Sequence, residues 1–171
     1  VIGKTANGLD SRRNVVRTGE AAIGNLIADA MRDVTKADVA IMNGGGIRAD
    51  KEYAAGSDIT RKDILSELPF GNTTILVEVT GKQLREALEN GVSKVEDGAG
   101  RFAQVSGMKV EADATKPAGE RIVSAMVGDK PLDDAASYKL ATNDFVLSGG
   151  DGFTSLAGGK VLIDARGGQL V

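Results

Sequence analysis

The hexad Asn43-Gly44-Gly45-Gly46-Ile47-Arg48 sets three consecutive glycines between an amide and a guanidinium, directly after an apolar run. Glycine lets the main chain take positive φ and approach a bound molecule closely, and arginine offers a planar fork of donors that matches phosphate or carboxylate. The hexad is an anion-binding turn or, on the same evidence, a sharp strand exit with a solvated arginine. A second cluster, Ser148-Gly149-Gly150-Asp151-Gly152-Phe153, follows Asn143-Asp144-Phe145. Asp151 between glycines could accept from vicinal sugar hydroxyls, or simply form a turn. The chain has only four phenylalanines and two tyrosines, so the placement of Phe70 and Phe145 in expected loops is informative. Two loop phenylalanines could clamp a flat base or merely cap the core. Arg17 stands before the most strongly periodic helix pattern, where free amide donors and a partial positive charge would welcome an anion; Arg12 and Arg13 beside it equally suggest a basic, solvated stretch.

What is absent narrows the chemistry further. There is no histidine and no cysteine, which removes the commonest general base, the commonest ligand of zinc and iron, and all thiolate chemistry. No carboxylate pair has a spacing diagnostic of acid and base work; Glu20, Asp29, Asp63 and Glu86 suit helix surfaces and caps. Neither a Walker A loop nor G-x-G-x-x-G occurs. With 21 lysines and arginines against 24 aspartates and glutamates, the net charge of −3 offers no global field for nucleic acid or anionic lipid. Any anion site must be local. No apolar run approaches the roughly 20 residues that span a bilayer, so membrane insertion is not expected.

The elements that must position these groups are legible in outline. Ala22, Ile23, Leu26, Ile27, Ala30, Met31 and Val34 recur at three- and four-residue steps and predict a helix of about four turns. Residues 38–42 read as a buried strand that ends at the triple glycine. Thr60 with Asp63, and Thr80 with Gln83, are helix starts; the second follows a β-branched strand over residues 74–80 and launches a helix to Gly91, while Pro69 ends the first and leaves 68–72 as a loop. Strands are expected over 104–112, 121–127 and 137–142, paired antiparallel with one another, and Val15-Val16 could form a short strand. Helices early and strands late predict one mixed α+β domain over residues 1–171, with mixed sheets and flanking helices. The start at Val1, with neither initiator methionine nor leader, reads as a piece cut from a longer polypeptide.

Taken in order, Arg17-Thr18-Gly19-Glu20 with Gly24-Asn25-Leu26-Ile27-Ala28-Asp29-Ala30, the Asn43 to Arg48 hexad, Leu68-Pro69-Phe70-Gly71-Asn72, Gln104-Val105-Ser106-Gly107, and Phe145 with Gly149-Gly150-Asp151-Gly152-Phe153 run through nearly the whole chain. This ordered set resembles the C-terminal domain of the 5′-nucleotidase family, periplasmic or cell-surface enzymes that include UDP-sugar hydrolases and 2′,3′-cyclic-nucleotide phosphodiesterases. The resemblance implies that Phe70 and Phe145 sandwich a nucleobase, Asn43 contacts its edge and Asp151 takes the ribose hydroxyls. Arg17 and Arg48 would reach the ribose and phosphate side, and Gly45 and Gly46 would keep the backbone clear of the ligand; Glu20, Asn25 and Gln104 would be structural. It also implies that catalysis belongs to an N-terminal metallophosphoesterase domain, absent from this chain, holding two divalent metals and an Asp-His dyad. No cofactor is expected here, and the chain alone is expected to bind nucleotide or nucleoside without hydrolysing it. A stand-alone nucleotide sensor, or a surface domain that has lost its ligand, remain the competing readings.

Overall fold

A computed structural model describes residues 1–164. Two short strands, β1 (Gly3–Lys4) and β2 (Leu9–Asp10), lead into the one-turn helix α1 (Arg13–Val16) and the long helix α2 (Ala22–Thr35). Val15 and Val16 are thus helical rather than extended, and Val16 is driven fully into the core. On α2 the buried positions are Ile23, Gly24, Ile27, Ala28 and Met31; of the expected stripe only Ile23, Ile27 and Met31 are buried, while Ala22, Leu26, Ala30 and Val34 are exposed, so the buried face is rotated to take in Gly24 and Ala28. The helix ends on Lys36 at φ 55°, whose N–H reaches the carbonyls of Arg32 and Asp33.

Next comes β3 (Val39–Asn43), buried along its whole length, and the triple glycine, which winds into a single 3-10 turn. Short strands β4 (Glu52–Tyr53) and β5 (Asp58–Ile59) pair antiparallel with β2 and β1. Helix α3 (Arg61–Glu67) starts on a capping box: the Thr60 hydroxyl accepts from the Asp63 N–H while the Asp63 carboxylate accepts from the Thr60 N–H. A second box, Thr80 with Gln83, turns β6 (Thr74–Thr80) into α4 (Gly81–Val92). The remaining elements are β7 (Ala103–Ser106), β8 (Met108–Ala112), β9 (Ile122–Val127), β10 (Lys130–Pro131), β11 (Ser137–Asn143), the one-turn helix α5 (Asp144–Leu147) and β12 (Lys160–Ile163).

The strand expected over 104–112 breaks at Gly107, where φ is 73° and a Cβ would lie 2.3 Å from the Asp38 carbonyl oxygen, so glycine is required. Its halves join different sheets. β7 closes one edge of a five-stranded sheet in the order β12-β6-β11-β3-β7, and β8 pairs antiparallel with β9 in a three-stranded sheet with β10. The expected pairing of 137–142 with the other late strands is also corrected: β11 enters the large sheet, antiparallel to β6 and parallel to β3. The mixed α+β architecture stands.

Alternation along the central strands divides the core in two. Val39, Ile41, Val77, Val79 and Leu140 pack with Leu84 and Leu88 of α4 and with Phe153, whereas Ala40, Met42, Leu76 and Ala141 pack with Ile23, Ile27 and Met31 of α2. The sheet is therefore a middle layer, with α2 on one face and α4 on the other. Among the described residues, no helix is long and apolar enough to cross a membrane.

One strand pair does most to gather polar groups. Because β3 and β11 run the same way, their carboxyl ends, Asn43 and Asn143, arrive side by side at one edge of the sheet. Such an edge, where chains leave parallel strands for turns, is where open sheets offer ligand crevices.

Candidate functional site

At that edge, six segments converge on a cavity of about 380 Å³ lined by Arg17, Asn43, Gly45, Gly46, Arg48, Phe70, Asn72, Gly100, Phe145 and Asp151. The volume falls in the range of small-molecule sites. All eight residues singled out from the sequence line it, and Asn72 and Gly100 join them. A larger cavity of about 590 Å³ lies beside β7 and β8, but its charged lining is Glu20, Asp29 and Lys109, which offers an anion no pair of guanidiniums.

Each group is held by its own local chemistry. Arg17 caps the end of α1 and is 8% exposed, with its Nε buried and unpaired. Burial, then the nearby charges of Arg13 and Arg48, hold it below the ordinary guanidinium value, with Asp151 and Asp50 acting the other way. A guanidinium remains protonated under those conditions. The structure thus sets a cation in a half-dry place beside a second arginine and leaves a donor without an acceptor. Two guanidiniums on one cavity wall give it the charge and donors to receive an anion.

The segment that carries Arg17 towards α2 is pinned by Gln104 on β7. Its Oε1 accepts from the Ala21 N–H at 3.0 Å, and its Nε2 donates to the carbonyls of Val16 and Gly19 at 3.0 and 2.8 Å. The side-chain amide takes the part that an N3 side chain plays in a capping box, accepting from the N-cap N–H, which Gly24 at that position cannot do. Gln104→Ala orphans these three main-chain groups and is expected to cost about 2 to 5 kcal/mol, visible as a lower urea midpoint. The structural role expected of Gln104 therefore has a geometry. Glu20 and Asn25 bond one another at 2.7 Å, outside the cavity.

None of the three consecutive glycines takes positive φ, which corrects the expectation of a left-handed turn there. They are needed for close approach. A Cβ on Gly44 would lie 2.2 Å from the Val16 carbonyl oxygen, and one on Gly45 would meet Gly100 Cα at 2.9 Å and Asp151 Oδ2 at 3.1 Å. The turn thus lets three segments meet, and Arg48 follows it. Its N–H donates to the carbonyl of Glu67, and its guanidinium lies 5.4 Å from the Phe70 ring centroid, within cation-π range.

Phe70 sits in the turn after α3, 58% exposed; Phe145 lies on α5, 43% exposed, so one of the two expected loops is a helical turn. Two aromatics this exposed in a chain with so few are unexplained by the core, which instead takes Phe153 completely. Asp151 adopts φ 52°, a conformation that aspartate tolerates better than most side chains. Asn90 Nδ2 donates to its carbonyl at 3.1 Å, and Asn43 Nδ2 donates to its carboxylate at 2.7 Å. A further polar residue, Asn143, is absent from the sequence-based set; its Oδ1 caps α5 through the Val146 N–H at 2.8 Å and its Nδ2 reaches Asn43 Oδ1 at 3.1 Å. The signal that marks it is a cap, an asparagine three residues before an apolar position.

The loop that brings Gly100 against Gly45 is anchored by Glu96, which accepts from Arg121 Nη1 and Nη2 at 2.7 and 2.8 Å. The Arg121 guanidinium lowers the Glu96 carboxyl from 4.5 to about 2. A carboxyl lowered on folding contributes stability above its unfolded value and loses it as pH falls through the folded one. Melting temperature is therefore expected to fall from about pH 4.5 towards about 2, and Glu96→Gln to flatten that part of the profile in melts recorded against pH.

Among the described residues, no three acidic groups gather closely enough to hold a metal ion, and the chain has no histidine or cysteine.

Comparison with known proteins identifies the family. The family described as "5′-nucleotidase, C-terminal domain" matches residues 1–158. The chain is 41% identical to the trifunctional nucleotide phosphoesterase protein YfkN of Bacillus subtilis over 90% of its own length, and 35% identical to a 5′-nucleotidase of Diplobatis ommata over 96%. It spans 11% and 32% of those proteins. The crystal structure of a 5′-nucleotidase precursor from Thermus thermophilus superposes with a TM-score of 0.89 at 40% identity, covering 98% of this chain and 34% of that one. The chain belongs to the 5′-nucleotidase C-terminal domain family.

Proposed function

We propose that this chain is the substrate-binding and specificity domain of a nucleotide phosphohydrolase that converts nucleotides to nucleosides and phosphate. The observation that carries the proposal is the buried, unpaired Arg17 facing the same cavity as Arg48, two exposed phenylalanines and a fixed carboxylate. In this reading Phe70 and Phe145 hold the base by stacking and Asn43 meets its edge. Asp151 accepts from the ribose hydroxyls, while Arg17 and Arg48 neutralise the phosphate end; Gly45 and Gly46 leave room for it. The one carboxylate among them, Asp151, is held by Asn43 and assigned to the sugar, so in this reading the chain binds and orients the substrate and leaves cleavage to another domain.

The bond-breaking step is assigned to a separate metallophosphoesterase domain holding two divalent metals, in keeping with the fraction of each relative that the chain spans. That domain is the proposed partner, and closure between the two would deliver the substrate. A periplasmic, secreted or cell-surface location goes with the family. Titrating the chain with AMP and with adenosine, followed by NMR, is the test. Shifts at Phe70, Phe145 and Asp151 are expected with both ligands and at Arg17 with AMP alone; no change at millimolar ligand would count against a preformed site.

A further inference from the structure

The two asparagines at the ends of the parallel strands form a relay whose direction is fixed at both ends. At one end, the donor is the Val146 main-chain N–H, which can only donate, so Asn143 must present Oδ1 to it. Asn143 therefore turns Nδ2 outward, towards Asn43 Oδ1 at 3.1 Å and Met42 Sδ at 3.3 Å. That leaves Asn43 Nδ2 to face Asp151 Oδ2 at 2.7 Å, and a carboxylate can only accept. Every link agrees in direction. Asn143 is 0% and Asn43 2% exposed, so neither amide can turn over without leaving buried donors facing donors or acceptors facing acceptors.

We propose that Asn143 is a positioning residue that sets which end of Asn43 points at Asp151, and so makes this wall of the cavity donate into the carboxylate and fixes Asp151 in its left-handed conformation. The proposal rests on the reading that the cavity takes a nucleotide, because its consequence is for the sugar and base edge that Asp151 and Asn43 would meet. Chain connectivity explains why the relay exists: β11 and β3 are parallel, so their last residues, 100 apart in sequence, end within one residue of the same level. Asn143 is the residue best placed to couple the start of α5, which carries Phe145, to the turn that carries Asp151.

Asn143→Ser separates this role from simple capping. Serine still accepts from the Val146 N–H, but its short side chain cannot donate to Asn43. Asn143→Ala removes both functions. Asn143→Ser is expected to melt about 2 to 4 °C above Asn143→Ala, yet to bind AMP at least about tenfold more weakly than the unaltered chain. Combined with Asp151→Asn, it should add little further loss, because both changes break one relay. In the ligand-free chain, the Asn43 side-chain amide resonances should shift and exchange faster in Asn143→Ser. Unchanged Asn43 amide resonances would overturn the relay whether or not nucleotide binds. So would AMP affinity equal to that of the unaltered chain, or strict additivity with Asp151→Asn. If the unaltered chain itself fails to bind AMP, the nucleotide reading falls and with it the role assigned to Asn143, while the amide resonances still report the relay.

Discussion

Phe145→Ala raises the AMP dissociation constant by roughly 5- to 150-fold, the equivalent of about 1 to 3 kcal/mol for one stacked base. The size follows from what the ring does. Phe145 is 43% exposed at the cavity, so little core packing is lost when it is cut back, and the fold should keep its melting temperature within a few degrees. Its position is set by Gly150, where an added Cβ would lie 2.5 Å from the ring. Gly150→Ala should therefore displace the ring without deleting it and weaken the same ligands. Both changes should leave ribose 5-phosphate almost unaffected, since it has no base to stack. Isothermal titration with AMP, adenosine and ribose 5-phosphate separates the cases; equal losses for all three would remove the stacking role.

Arg17→Met has opposite effects on stability and binding. The guanidinium is buried without a hydrogen-bond partner for Nε, and its charge lies close to Arg13 and Arg48, so the free protein carries a desolvation cost that Asp151 and Asp50 offset only in part. Methionine keeps much of the volume and removes the charge. The unliganded variant is expected to melt no lower than the unaltered chain, while AMP affinity falls by about 10- to 100-fold, the scale of a lost charge-assisted contact. Adenosine, which lacks the phosphate, should bind nearly as before. AMP should raise the melting temperature of the unaltered chain by linkage and fail to do so in Arg17→Met at the same concentration. A variant that melted much lower would instead make Arg17 a structural residue.

The fold and the candidate site are legible in the sequence to unequal degrees. Both capping boxes and the long helix rest on local rules, in which side chains three or four residues apart decide the outcome, and all three form where those rules put them. The convergence of Arg17, Asn43, Arg48, Phe70, Phe145 and Asp151 is legible only as a family resemblance, since no local rule brings residue 17 beside residue 151. Long-range features are the ones that escape. Residues 137–143 alternate identically whichever strand they meet, so their insertion beside β3 cannot be read from periodicity. Gly107 looks like an interior glycine of one strand, yet in the fold it separates a strand whose alternate residues are buried from one with none buried, at the change of sheet. The triple glycine stands out in the sequence as a place for positive φ, yet it is the approach of Val16 and Gly100 that excludes side chains there. The Asn143 relay is hidden for the same reason as the strand pairing that creates it.

The most direct measurement is a crystal structure of this chain grown with AMP. The base should lie between Phe70 and Phe145, the ribose hydroxyls against Asp151 and the phosphate against Arg17 and Arg48. AMP bound instead in the larger cavity beside Val105 and Met108, or with its phosphate away from Arg17, would contradict the assignment.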